Sequence, residues 1–145
     1  MSYWRLFYHF VWTTREREPL IVREWEKRLH GAIRAKAEHL GAFVHAVGGT
    51  EDHVHMVASV PPTLSLAKFV GQVKGASSRL ANRELLPTGG FAWQAEYGVV
   101  SFGGRQLARA VGYVLSQREH HCNGTVVPDL ERVGAEPVGG GSQRG

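Results

Sequence analysis

The chain has 145 residues, 43% hydrophobic and 21% charged, an ordinary globular composition and enough length for one domain with a real core. Its only cysteine, Cys122, rules out an intrachain disulfide and a cysteine zinc cluster, and no run approaches the ~20 apolar residues of a membrane span. A net charge of +4 favours polyanionic partners, and the start at Met1–Arg5 lacks signal-peptide features, so a cytoplasmic location is expected.

Tyr3 to Trp12 is dominated by aromatic and β-branched residues, with Trp4, Leu6, Tyr8, Phe10 and Trp12 alternating onto one face, and reads as a central strand ended by the polar run Thr13 to Pro19. Trp25, Leu29, Ile33, Ala37 and Leu40 recur at helical spacing, which predicts a helix over Arg23 to Leu40 stopped by Gly41. Ala42–Val47 and His53–Val60 form two strands across a short turn, hence an antiparallel hairpin. A second helix runs from Thr63 to about Leu86, Phe91–Phe102 holds one or two short strands, and a third helix covers about Arg105 to His120. The order β-α-β-β-α-β-α is that of an α+β, ferredoxin-like (split βαβ) antiparallel sheet with helices on one face, followed by a C-terminal helix that bears Tyr113. Residues 1–122 read as one domain and the Gly-rich stretch 123–145 as a mobile tail.

Two features carry chemistry. Side chains alternate along a strand, so His53 and His55 share one face, ~7 Å apart. Two imidazoles so placed can hold one divalent cation if a third ligand arrives from elsewhere, with Asp52 as an orienting carboxylate; the other reading is a pair of solvated or hydrogen-bonded histidines. On the third helix, Leu107, Val111, Val114 and Leu115 form the apolar stripe. Tyr113 lies off it, beside Gln106, Gln117 and His120, either poised among polar groups or simply packing its ring sideways at the surface.

Several stretches together, in order and spacing from about Tyr3 to His121, resemble a known family: Tyr8–Thr14, Asp52–Val57, Lys74–Arg79, Phe91–Gln94 with Tyr97-Gly98, and Tyr113–Gln117. They resemble the single-tyrosine HUH transposases of the insertion sequence 200/605 type (IS-200-like). The resemblance implies that His53 and His55 are metal ligands, that Gln117 is the third ligand, and that Tyr113 is the catalytic nucleophile. It also implies a homodimer whose active sites can be shared between subunits, and single-stranded DNA with hairpin ends as partner. The acidic character of Arg15-Glu16-Arg17-Glu18 departs from the family's basic cluster at that place, and the Gly-rich tail has no counterpart in it.

The implied reaction is cutting and rejoining of single-stranded DNA through a 5′-phosphotyrosine, which conserves the phosphodiester energy so that no ATP is needed. A free phenol, with a pKa of about 10, is a weak nucleophile, and a divalent cation compensates by polarising the phosphate. Mg²⁺ is the expected ion, with Mn²⁺ as an effective substitute because it accepts imidazole more readily. Lys68, Lys74, Arg79, Arg83 and Arg105 are candidate DNA contacts, against the alternative of a solvated helix face. Two other readings use the same fold: a domesticated tyrosine transposase associated with palindromic repeats, and a non-catalytic ferredoxin-like nucleic-acid-binding module.

Overall fold

The structure is a computed structural model and describes residues 2–134. Strand β1 (Phe7–Thr13) leads into helix α1 (Arg23–His39), strands β2 (Phe43–Gly49) and β3 (His53–Ser59), helix α2 (Leu66–Leu80), strand β4 (Gly98–Phe102), and helices α3 (Leu107–Leu115), α4 (Gln117–Asn123) and α5 (Pro128–Glu131). The four strands form one antiparallel sheet in the order β2-β3-β1-β4, the ferredoxin-like α+β arrangement expected.

Alternation along the two central strands separates two layers. Phe10, Trp12, Val54, Met56 and Ala58 turn to one face, where Leu29 and Ile33 of α1 and Phe69 and Val73 of α2 complete the main core. The opposite face carries His9, His53 and His55, and there Ala46 and Val57 pack against Ala110 and Val114 of α3. The histidines are thus buried on the face away from α1 and α2.

A β-bulge in β2, between Val44 and Ala46, changes the phase of that edge strand. Val44 belongs to the main core and Ala46 to the layer under α3. Past the bulge, Gly48 lies directly beneath α3: a Cβ there would collide with the carbonyl oxygen of Val114, so the helix can come this close only over a glycine.

Three expectations change. The segment before β4 is mostly irregular, with a single bridge from Trp93 to Thr14; Trp93 packs edge-on to Trp12 at 5.9 Å and its Nε1–H donates to Ser77 Oγ at 3.0 Å, a core role. The third helix is two helices, broken at Ser116. Leu115 is 65% exposed, because the face of α3 that turns inward is centred on Ala110, Tyr113 and Val114; the buried histidines give the tyrosine side of the helix a polar surface to cover.

The chain beyond residue 122 also has structure over 124–134. Gly124 takes a left-handed conformation (φ 69°) that turns the chain after α4, and α5 then lies against β4 and β1. A Cβ on Gly98 would collide with the carbonyl oxygen of Arg132. The remainder of the expected tail, 135–145, lies outside the described residues. Among the described residues, no helix is long and apolar enough to cross a membrane.

Candidate active site

Strand β3 is flanked on both sides, so its residues are all buried, and its pleat sets His53 and His55 side by side with ring centroids 4.9 Å apart. Each imidazole has an orienting partner at Nδ1. His53 Nδ1 lies 2.8 Å from Asp52 Oδ1 and 3.0 Å from Thr50 Oγ1, both from the turn just before β3. His55 Nδ1 shares a 2.7 Å hydrogen bond with Nε2 of His9. The register pairs His9 with Val57, which makes it the diagonal neighbour of His55 on the same face.

The two Nε2 atoms point at oxygen. His53 Nε2 is 3.1 Å from Gln117 Oε1, and His55 Nε2 is 3.2 Å from Glu131 Oε1. The Gln117 side chain is oriented from behind, since its amide nitrogen donates to the carbonyl of Tyr113 at 3.1 Å. His121 Nε2 joins the cluster at 3.2 Å from Gln117 Oε1 and 3.5 Å from Glu131 Oε1. Ligand atoms of His53, His55, His121 and Glu131 all lie within 4.8 Å of one another.

These atoms fit a cation on chemical grounds. In the tautomer that donates Nδ1–H to Asp52, His53 presents a lone pair at Nε2 toward an amide oxygen that is also an acceptor. Acceptors facing acceptors in a buried place need a proton or a metal ion between them. Imidazole nitrogens, a carboxylate and an amide oxygen make a mixed donor set that a divalent cation can accept.

Tyr113 reaches the same cluster from α3. Only 6% of it is exposed, and its ring meets His55 edge-on at 5.8 Å and lies against His120 at 4.6 Å. Its hydroxyl donates to Glu131 Oε2 in a very short hydrogen bond and accepts the Val127 N–H at 2.9 Å. The phenol is therefore buried at its ring but sits at the histidine cluster, not in the apolar core.

Electrostatics follow from this packing. Burial, then the hydrogen bond to Glu131, pushes the Tyr113 phenol up to about 12. Burial alone would raise the Glu131 carboxyl, but hydrogen bonding and charge from His55 and the Tyr113 hydroxyl outweigh it and hold the group at about 2. His9 is pulled down to about 3 by burial and by the neighbouring His55, so it is neutral. Burial also lowers His55, and the hydrogen bond from His53 holds Asp52 below the usual carboxylate range. The other ring nitrogen of His9, Nδ1, is buried with no hydrogen-bond partner among the described residues.

The structure brings His53, His55, Gln117 and Tyr113 into one cluster within a single chain. It does not bring His120 there: the His120 ring covers Tyr113 and its Nδ1 bonds Thr125 Oγ1 at 2.8 Å, while the next residue, His121, takes the place near the ligands. The candidate DNA cations lie elsewhere. Lys68 and Arg79 are exposed on α2, and Arg83 in the turn after it, in the layer opposite the histidines. The Lys74 ammonium donates to the carbonyls of Gln94, Ala95 and Glu96 at 2.6, 3.3 and 3.2 Å and ties down the irregular loop before β4. Arg105 stands exposed in the turn that leads into α3. Next to Tyr113 is a cleft of about 430 Å³, lined in part by His9, Phe102, Arg109 and Leu130.

Sequence reasoning missed His121 and Glu131. His121 stands four residues after Gln117, the spacing that places two side chains on one helical face, so a signal for it existed. Glu131 is 76 residues from His55 and nothing local in the sequence marks it.

Comparison with known proteins gives a consistent result. Residues 2–117 match the family described as "Transposase IS200 like". The chain is 29% identical over 121 residues to the ISDra2 transposase TnpA of Deinococcus radiodurans, covering 80% of this chain and 86% of that one. It is 28% identical over 75 residues to the transposase for insertion sequence element IS200 of Salmonella typhimurium, spanning 52% of this chain and 49% of that one. Among solved structures, the REP-associated tyrosine transposase bound to a REP hairpin shares the fold, with a TM-score of 0.61 and 15% identity over 87% of this chain and 76% of that one.

Proposed function

Since the chain belongs to the IS200-like transposase family, we propose that it cuts and rejoins single-stranded DNA through a 5′-phosphotyrosine on Tyr113, with a divalent cation held by His53, His55 and Gln117. The observation that carries the reading is the meeting of the Tyr113 hydroxyl and His55 Nε2 on the two oxygens of one carboxylate, that of Glu131. A phenol brought that close to an oriented imidazole pair is suited to attack a phosphate placed between them.

A divalent ion, Mg²⁺ with Mn²⁺ as substitute, would supply charge neutralisation at the phosphate. Every other part is the work of this chain. Asp52 and Thr50 fix the His53 ring, His9 fixes the His55 ring, and the Tyr113 carbonyl fixes the Gln117 amide. The Tyr113 oxygen forms a bond to phosphorus, the bond from phosphorus to the 3′ oxygen breaks, and the phenolic proton leaves so that a free 3′-hydroxyl results. Attack by a 3′-hydroxyl on the phosphotyrosine reverses the step and joins strands.

The proposed substrate is a single strand beside a hairpin, in line with the hairpin held by the fold-related REP-associated transposase. Arg105 and the cleft beside Tyr113 lie on the reacting side and are the proposed contacts near the cut. Lys68, Arg79 and Arg83 would serve DNA only across the other layer. A homodimer remains part of the proposal, but the phenol reaches its own chain's imidazole pair, so exchange of the tyrosine between subunits is not needed for that approach. Action on DNA implies a cytoplasmic setting.

The test is incubation with labelled single-stranded hairpin oligonucleotides and Mg²⁺ or Mn²⁺, followed by denaturing electrophoresis. Wild type should give a denaturant-resistant protein–DNA adduct, Tyr113→Phe none, and His53→Ala should lose cleavage. Cleavage that survives in Tyr113→Phe would overturn the assignment of the nucleophile.

A further inference from the structure

Glu131 is a charged, half-buried residue that the proposed reaction leaves without a task. It ends α5, and the chain around it is fastened over the cluster by the Val127 N–H on the Tyr113 oxygen and by the seating of the Arg132 carbonyl on Gly98. One carboxylate oxygen lies 3.2 Å from His55 Nε2, 3.5 Å from His121 Nε2 and 3.8 Å from His53 Nε2. The other accepts the hydrogen bond of Tyr113.

A phosphodiester about to be attacked by Tyr113 has to make the same two connections: one anionic oxygen toward the ligand atoms, and its central atom beside the phenol. The Glu131 carboxylate, also an anion with two oxygens on one central atom, now spans that gap. The Tyr113 hydroxyl gives one hydrogen bond to Glu131 and receives one from the Val127 N–H, so this segment engages the nucleophilic oxygen both as donor and as acceptor. Yet the segment is lightly anchored. Residues 124–129 are all exposed, and α5 is a four-residue helix with no fully buried residue, which is the character of a piece that opens at small cost.

We propose that Glu131 is an internal stand-in for the scissile phosphate: it gives one oxygen to the cation bound by His53, His55 and Gln117, engages Tyr113 with the other, and is displaced by DNA. The inference rests on the reading of Tyr113 as nucleophile. It makes the chain self-occluding in the absence of substrate, with the free enzyme holding its metal more firmly than the DNA-bound enzyme would through protein ligands alone.

The experiment uses the full chain and its Glu131→Ala variant, each checked by circular dichroism to be fully folded at the assay temperature. Manganese affinity is titrated calorimetrically without DNA, and the initial rate of Tyr113–DNA adduct formation is measured at subsaturating hairpin oligonucleotide. The variant should bind Mn²⁺ on the order of tenfold more weakly and form adduct severalfold faster. Unchanged Mn²⁺ affinity, or an adduct rate that falls or stays level, overturns the proposal. If wild type forms no Tyr113-dependent adduct with any oligonucleotide, the parent reading fails instead, and the manganese titration still decides whether Glu131 is a ligand.

Discussion

The amide of Gln117 is held by the carbonyl of Tyr113, one helical turn back and across the break at Ser116. The nitrogen donates at 3.1 Å, which leaves the oxygen with no choice but to face His53. The backbone of the proposed nucleophile therefore aims the proposed third metal ligand, and the two roles share one local geometry. Replacing Gln117 with Ala should weaken Mn²⁺ binding on the order of tenfold or more, since both the ligand and its aim are lost. Stability should fall by about 1–3 kcal/mol, the usual cost of leaving buried polar partners unpaired. Calorimetric titration and urea unfolding of the same variant separate the two effects.

His9 offers a cleaner test of orientation, because it meets His55 at Nδ1 and not at the ligand atom Nε2. If His55 binds metal through Nε2, its Nδ1 must carry the proton and donate to His9 Nε2. Leucine at position 9 removes that acceptor and should lower Mn²⁺ affinity by about 10- to 100-fold. Glutamine sets an amide oxygen close to where Nε2 stood and should restore much of the loss. A purely packing role for His9 would make leucine, the better core residue, the milder of the two substitutions.

The seat of α3 on Gly48 can be tested away from the chemistry. Gly48→Ala drives a methyl group into the Val114 carbonyl and must push the helix off the sheet. Overpacking of this kind costs about 1–3 kcal/mol, to be read in urea denaturation, and adduct formation should fall further than the stability loss explains because Tyr113 is displaced with the helix. Gly112→Ala, where nothing lies near the added methyl, is the control and should be neutral or mildly stabilising.

Acid should unfold the protein in two overlapping stages. The folded-state pKa of His9 is depressed from 6.5 to about 3, so the unfolded chain binds its proton more readily in that interval. Glu131 is depressed from 4.5 to about 2. Both shifts give stability that is fully present above the unfolded value and is lost as pH falls through the folded one. The urea midpoint should therefore start to drop below about pH 6.5 and drop further below about pH 4.5. His9→Gln should flatten the first stage, and Glu131→Ala the second.

How much of this could be read beforehand depended on range. The alternation in β1 and β3 gives the two faces directly, so the shared orientation of His53 and His55 was available from the sequence, as was the order of the elements. The break at Ser116 was not, because neither glycine nor proline marks it and Gln117–Asn123 continues the helical pattern of the residues before it. Missing that break favoured His120 over His121. Lys74 looked like a free cation because its partners, three carbonyls of an irregular loop, carry no sequence signature. Glu131 was hidden for a related reason: a glycine-rich composition argues against order, yet a few contacts to the cluster suffice to place eleven residues of it, 124–134.

The bulge at His45 and Ala46 bears on how this chain tolerates change. Both residues sit toward the α3 side, so the odd–even rhythm of β2 is inverted beyond them. A strand that kept its rhythm from Phe43 would turn Val47, not Gly48, toward the helix, and its isopropyl group would hold Val114 and its neighbour Tyr113 away from the imidazoles. Losing or gaining one residue at this outer rim should thus be more damaging than most single replacements beside the reacting atoms, since it alters the spacing on which every one of them depends.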